Sequence, residues 1–241
     1  MNIALIFAGG KGNRFYNSPP PKQFLECKGK SVLAYTIEAF QQHPAIDAIV
    51  VVCLESWIPY LQQQLETFHL SKVAAVVPGG ETGQDSIFKG LEWAVQHYDE
   101  DSLVLLHDGV RPLVSQQTIS DCLQMIREKG NCVVCSPATE TMIVAQADGS
   151  YQVPDRRQAL LARAPQGGVL FFLTELHRQA RLDGRHDFVD TCSMMRHYGH
   201  DIYPLLGSVE NIKITTPSDF LLFRAIIEEQ GVGVRQHWQT L

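Results

Sequence analysis

Asn2-Ile3-Ala4-Leu5-Ile6-Phe7-Ala8-Gly9-Gly10-Lys11-Gly12-Asn13-Arg14 is the stretch from which the rest can be read. Ile3 to Ala8 is an unbroken apolar run, which predicts a strand buried on both faces. Three glycines follow at once. They let the backbone approach a ligand closely and turn N–H groups toward phosphate oxygens. Arg14 adds a planar cation suited to phosphate, and Lys22 in Pro21-Lys22-Gln23-Phe24 adds a second beside a rigid turn. A plain glycine turn with surface charges is the competing reading. A Rossmann dinucleotide fingerprint would need glycine where Phe15 stands, and a Walker A loop would need Lys-Ser/Thr after Gly12, where Asn13 stands.

Outward from this stretch, short apolar runs alternate with helix-period segments. Ala48 to Leu54, Val73 to Val77, Leu103 to Leu106 and Val133 to Ser136 predict further strands. Between them, Leu33/Ile37/Phe40 (capped by Ser31), Ile58/Leu61/Leu65/Phe68, Ile87/Leu91/Ala94 and Ile119/Cys122/Leu123/Ile126 predict helices, the last ended by Gly130. This order predicts an α/β fold with a parallel sheet and helices on both faces. Past Thr139 the pattern changes. Thr141 to Ala145, the turn Asp148-Gly149-Ser150 and Tyr151 to Val153 predict a hairpin with little core of its own, and a second subunit is a natural cover for it. Helices are expected around 170–180 and 191–198, strands at Ile202 to Leu206 and Ile212 to Ile214, and a last helix starting at Thr216-Pro217. No linker divides the chain, so residues 1–241 are expected to form one domain, with 139–154 as a projecting arm.

The 241 residues include 45% hydrophobic and 19% charged, the composition of a globular protein. A net charge of −6 disfavours non-specific nucleic-acid or anionic-membrane binding, so any anionic ligand needs a local cluster of cations. No run approaches the roughly 20 apolar residues of a membrane span, and the first residues lack a basic leader. A cytoplasmic location is expected. The six cysteines read as buried thiols; Cys132-Val133-Val134-Cys135 lies in a strand-like run, where residues three apart face opposite sides. His197 and His200 have no third ligand at recognised metal spacing.

Two further motifs carry chemistry. Leu106-His107-Asp108-Gly109-Val110-Arg111-Pro112 ends a strand at the sheet edge where α/β proteins bind ligands. Asp108 there could ligate Mg²⁺, accept from a hydroxyl, or simply pair with Arg111. Asn211-Ile212-Lys213-Ile214-Thr215-Thr216-Pro217 places a lysine before a helix, where a solvated lysine is the plainer reading.

Taken in order, Ala8–Arg14 with Pro21–Leu25, Gly79-Gly80 with Asp85-Ser86, His107–Pro112 and Asn211–Pro217 resemble the signature of the cytidylyltransferases that act on polyol phosphates. The resemblance covers nearly the whole chain. It implies a Rossmann-like nucleotidyltransferase fold, a protruding β-arm and a homodimer. It implies CTP as substrate, with Mg²⁺ or another divalent cation, and a polyol phosphate as acceptor. By position, Ala8, Gly9, Gly10, Gly12, Gly80 and Ser86 would hold the nucleotide, and Arg14, Lys22 and Lys213 would grip its phosphates. Asp108, also the candidate metal ligand, Arg111 and Asp190 would face the acceptor. Thr141 and Arg156 would reach it from the arm, in the partner's site.

Departures cluster on the acceptor side: Gly83 where the family commonly has Arg, Val189 before Asp190 where it has Thr, Glu140 where it often has Asp, and Arg163-Ala164-Pro165-Gln166-Gly167-Gly168 where Gln-Thr-Pro-Gln-(Ala/Ser)-Phe is usual. Ala8-Gly9-Gly10 and Val110 resemble the ribitol-phosphate group more than the methylerythritol-phosphate group. The expected reaction is therefore cytidylyl transfer to D-ribitol 5-phosphate, with 2-C-methyl-D-erythritol 4-phosphate as the alternative acceptor. A sugar-1-phosphate nucleotidyltransferase and a non-catalytic nucleotide-binding protein are the readings from other classes.

Overall fold

The computed structural model describes residues 1–9 and 20–230. In chain order, β1 (Asn2–Ala8) is followed by the small hairpin β2 (Glu26–Cys27) and β3 (Lys30–Ser31), then α1 (Val32–Gln41), β4 (Ala48–Cys53), α2 (Ile58–Thr67) and β5 (Val73–Pro78). Next come α3 (Gly83–His97), β6 (Leu103–Asp108), α4 (Gln116–Lys129), β7 (Asn131–Pro137), and the arm strands β8 (Val144–Ala145) and β9 (Tyr151–Gln152). The chain continues through β10 (Leu160–Val169), α5 (Leu170–Leu182), α6 (Thr191–His197), β11 (Pro204–Leu206) and α7 (Pro217–Gln230).

The caps read from the sequence are made. Ser31 Oγ accepts from Ala34 N, and Gly130 closes α4 at φ 89°. Thr216 Oγ1 accepts from Asp219 N at the start of α7.

The seven-stranded sheet runs β11-β7-β10-β6-β1-β4-β5. Every neighbouring pair is parallel except those of β10, which runs antiparallel to both β6 and β7. Side chains alternate through this sheet into two cores. Ile6, Ile49 and Val51 meet Leu33, Ile37, Leu61 and Ile119 from α1, α2 and α4 on one face. Leu5, Val50 and Val52 meet Ile87 and Leu91 of α3 and Leu173 of α5 on the other. Each apolar side chain fully removed from water contributes about 1.5–3 kcal/mol. The result is the expected α/β fold, mostly parallel, with helices on both faces.

Two expectations need correction. The strand β10 has no counterpart in the sequence reading, which left its Pro165 and Gly167-Gly168 outside any element. Its Ala164–Pro165 bond is cis, and the pairing with β7 breaks between Ala162 and Gln166. Gly167 is needed there because a Cβ would stand 2.7 Å from both Val104 O and Ile126 Cδ1. Conversely, Ile212–Ile214 is not a strand. Ile214 drops into a small core with Val110 and Phe223, held by one bond from its N–H to Val110 O at 2.9 Å. The alternation that imitated a strand simply points Ile214 inward and Lys213 outward.

A hairpin forms in the arm stretch with shorter strands than expected, Val144 and Ala145 pairing with Gln152 and Tyr151, and Gly149 at φ 83° in the turn. Its apolar side is open to solvent: Ile143 is 68% exposed, Tyr151 74% and Val153 60%. The six cysteines are free thiols, five of them buried. No helix among the described residues is long and apolar enough to cross a membrane.

Candidate active site

The strand order reverses between β1 and β6, the switch point at which open α/β sheets bind ligands beyond the carboxyl ends of their strands. Ala8 ends β1 and Asp108 ends β6, so both face this crevice. A cleft of about 560 Å³ opens there, lined by Phe7, Thr82, Asp108, Arg111, Arg163 and Lys213 among others.

On the side of β1, two glycine turns touch. A Cβ on Gly9 would lie 2.6 Å from Ser86 Oγ and 3.1 Å from Gly79 Cα, so only glycine lets these turns meet. Ser86 Oγ accepts from Gly80 N at 3.1 Å and donates to Thr82 O at 2.9 Å. The hydroxyl is thus a bracket that fixes the turn; its proton is committed to Thr82 and only a lone pair remains for a ligand. Lys22 begins the short 3-10 helix Lys22–Phe24, and its neighbour Gln23 donates from Nε2 to Ala8 O at 2.8 Å. That bond ties the lysine's turn to the end of β1. Gly10, Gly12 and Arg14 lie outside the described residues.

On the side of β6, charges crowd together. Arg111 Nε donates to Asp108 Oδ2 at 2.8 Å, and Lys213 Nζ to Asp108 Oδ1 at 2.6 Å. Burial alone would raise the Asp108 carboxyl, but Lys213 and Arg111 outweigh it and hold it down at about 2. It is a carboxylate at any physiological pH. Arg111 is itself buried and donates from Nη1 to Asn211 O at 2.9 Å. His107, fully buried, donates from Nε2 to Arg111 O at 3.0 Å, and burial keeps it neutral by pushing it down to about 4.

Arg163 was not singled out as a site residue by sequence, yet it lines the cleft. It donates to three neutral oxygens: Ser136 Oγ at 2.8 Å, Asn211 O at 3.2 Å and Val209 O at 3.4 Å. Burial and the neighbouring Arg111 both push its guanidinium down, the mark of a cation that another cation repels. Two cations therefore hold Asp108, and Arg163 adds a third cation to the same cleft, paired only with neutral oxygens and so suited to a phosphate. Asn211 holds this corner together. Its carbonyl takes both guanidinium groups and its amide donates to Ala164 O at 2.6 Å. The signal for Arg163 in the sequence is a charged residue where the family usually has glutamine.

The donor set does not make a protein-held divalent-cation site. Both Asp108 oxygens already carry a cation, and no cluster of three His, Cys, Asp or Glu side chains occurs among the described residues. Asp190 lines the cleft, but its carboxylate caps α6 through Ser193 N at 2.8 Å and accepts from Gln166 Nε2 at 3.2 Å. Thr141 and Arg156 are exposed on the arm and do not line this cleft; Arg156 Nη1 donates to Thr139 O at 3.2 Å. His186 and Asp187 line the cleft on the loop before α6. A Cβ on Gly83 would meet nothing within 4 Å, so a side chain could start there without a clash.

Known proteins resemble this chain over nearly its whole length. The family model described as IspD, 2-C-methyl-D-erythritol 4-phosphate cytidylyltransferase, matches residues 2–229. A ribitol-5-phosphate cytidylyltransferase of Vibrio parahaemolyticus serotype O3:K6 is 48% identical, covering 95% of this chain and 97% of that one. One of Streptococcus agalactiae serotype Ia is 44% identical over 95% and 96%. A 2-C-methyl-D-erythritol 4-phosphate cytidylyltransferase of Clostridium botulinum (strain 657 / Type Ba4) is 33% identical over 95% and 98%. In fold, the 4-diphosphocytidyl-2C-methyl-D-erythritol synthase of Anaerococcus prevotii superposes with a TM-score of 0.79 at 23% identity, covering 94% of this chain and 97% of that one. With a family model spanning nearly its whole length and relatives well above the threshold of chance, the chain belongs to the IspD family of cytidylyltransferases.

Proposed function

We propose that this protein transfers the cytidylyl group of CTP to D-ribitol 5-phosphate or a similar alditol phosphate, releasing pyrophosphate. The observation that carries this reading is the cleft at the switch point, where Arg111 and Lys213 hold Asp108 and Arg163 lines the same wall. The choice of acceptor is supported by the relatives: those named for ribitol 5-phosphate stand at 44% and 48% identity, the one named for methylerythritol phosphate at 33%.

The chemistry asks little of a general base. A phosphate monoester has a second pKa of about 6 and is mostly dianionic at neutral pH, so the acceptor phosphate is already a nucleophile. It attacks the α-phosphorus of CTP in line, and the bond to the pyrophosphate oxygen breaks. The barrier is the repulsion between two anions, and catalysis reduces to positioning and charge neutralisation. Arg14, Lys22 and Lys213 would neutralise the triphosphate. Arg111 and Arg163 would seat the acceptor phosphate, with Asp108 fixing Arg111 and Lys213. The backbone around Ala8, Gly9 and Gly80 would receive the base. Among the described residues no cluster of side chains would cage a divalent cation, so one would have to arrive with the nucleotide. Thr141 and Arg156 would complete the acceptor site of a second subunit through the arm, in a homodimer.

A pyrophosphate-release assay with the four nucleoside triphosphates against ribitol 5-phosphate and 2-C-methyl-D-erythritol 4-phosphate tests the reading. Turnover is expected with CTP and the alditol phosphate, and Lys22→Ala should lower it about 10²–10³-fold with the fold intact. Release of pyrophosphate only with the methylerythritol acceptor, or near-normal turnover in the variant, would refute it.

A further inference from the structure

One wall of the cleft is the loop between α5 and α6, and that loop is clamped from across the chain. His186, Asp187, Phe188 and Val189 line the cleft, and the side chains of His186 and Asp187 stay 49% and 72% exposed, open to a ligand. Little in the loop's own backbone fixes it. Gly184 N and Arg185 N still bond back to α5, and Asp190 caps α6. Residues 186–189 between them share no main-chain to main-chain hydrogen bond among the described residues.

Gln84 supplies what is missing. It sits in the first turn of α3, buried, and lines the same cleft. Its Nε2 donates to Arg185 O at 2.8 Å, and its Oε1 accepts from Phe188 N at 3.1 Å. One amide thus holds the main chain on both sides of His186-Asp187. The clamp is anchored beside the glycine turn: two residues on, Ser86 Oγ accepts from Gly80 N, and the adjacent Asp85 takes Arg181 Nη1 of α5 at 2.7 Å. Moving the loop away would break both Gln84 bonds at once, so α3 sets where the loop stands.

We propose that Gln84 is a positioning residue for the acceptor, holding His186 and Asp187 as a preformed polar wall along which the acceptor's hydroxyl-bearing chain lies. The inference rests on the alditol-phosphate reading above and deepens it. A hydroxyl can donate to a carboxylate such as Asp187 and can donate to or accept from an imidazole such as His186. A wall already in place when the acceptor arrives spends none of its binding energy on being ordered. Gln84 acts through the loop, because its amide is committed to Arg185 and Phe188.

The test compares wild type with two variants, varying CTP and ribitol 5-phosphate in turn. Gln84→Met keeps the length of the side chain and removes both bonds. Gln84→Glu keeps an oxygen for Phe188 N and loses the donor to Arg185 O. Gln84→Met should raise the acceptor KM about tenfold and leave the CTP KM and kcat within about twofold. Gln84→Glu should fall between Gln84→Met and wild type. Hydrogen exchange read by mass spectrometry should quicken over residues 185–190 of Gln84→Met and stay unchanged in β6. An unchanged acceptor KM in Gln84→Met overturns the inference alone, as does an equal rise in both KM values, which would place the effect on the glycine turn. Should Gln84→Met fail to fold, the same split between the two KM values is read from Gln84→Glu. A wild type that releases no pyrophosphate with ribitol 5-phosphate or another alditol phosphate overturns the alditol-phosphate reading and this inference with it.

Discussion

At the end of β6, one carboxylate is gripped by two cations, and the carbonyl of Asn211 holds the guanidinium groups behind them. On the arm, Ile143, Tyr151 and Val153 stand mostly in water on a hairpin of two short paired strands. The first region is over-determined: each side chain is fixed by several others, at the cost of concentrating like charge. The second is under-determined and offers apolar surface with nothing from its own chain to cover it. Arg163 in the packed corner has only neutral oxygens as partners, which leaves its charge for an anion, and an apolar hairpin without a core leaves surface for another chain to cover. On the proposed reading the first region would receive a phosphate and the second would meet a second subunit.

The largest effect should come from removing the carboxylate of the packed corner. Asp108→Asn leaves Arg111 and Lys213 without their counter-charge, and kcat/KM should fall about 10²–10³-fold. Stability should change with a pH signature. The folded carboxyl sits at about 2 against an ordinary value of 3.8, so its contribution is fully present above about 4 and is lost as pH falls through 2. That difference corresponds to about 2 kcal/mol at neutral pH. Thermal unfolding followed from pH 7 down to pH 2 should show wild type losing this increment in acid and the variant lacking it throughout. Equal acid sensitivity in both proteins would mean that the corner is not organised around Asp108.

How much of this contrast was legible in the sequence differs between the regions. The arm was legible because a hairpin is local: alternating residues around Asp148-Gly149-Ser150 declare it within a dozen positions. The strands and caps of the sheet were legible for the same reason. The corner was only half legible. Asp108, Arg111 and Lys213 were named by resemblance, but that Lys213 closes on Asp108 across more than a hundred positions is a product of the tertiary fold. Arg163 was missed because β10 was missed. A proline and two adjacent glycines argue against a central strand by local rules, yet here the neighbouring helix and strand approach so closely that Gly167 is the residue that fits. The two bonds by which Gln84 holds Arg185 and Phe188 could not be seen at all, since they join positions more than a hundred apart in the chain.

A smaller effect separates the two regions functionally. If the arm completes a partner's site, Lys213→Ala and Arg156→Ala disable different halves of one active site. Each homodimer should be nearly inactive. After mixing and exchange of subunits, half the dimers are mixed, and each of those carries one intact site. Activity should return to about a quarter of wild type. Mixed protein that stays as inactive as its components would place both residues in one chain's site, and the arm would lose its role in trans.

The smallest expected effect tests whether openness or packing decides what a glycine does. Gly167 and Gly83 both stand at positions where this chain departs from its family, and neither has positive φ. At Gly167 a methyl group would press on Val104 O and Ile126 Cδ1, so Gly167→Ala should destabilise by about 1–3 kcal/mol and disturb the strand that carries Arg163. At Gly83, the first residue of α3, a methyl group meets nothing. Gly83→Ala should therefore stabilise by about 0.4–1 kcal/mol, because it narrows the unfolded ensemble without touching the folded one. Urea denaturation of the two variants measures both signs. Destabilisation at Gly83 would mean that the open side of the cleft is more constrained than its empty surroundings suggest, and that the glycine is held there by backbone geometry and not by the loss of an arginine.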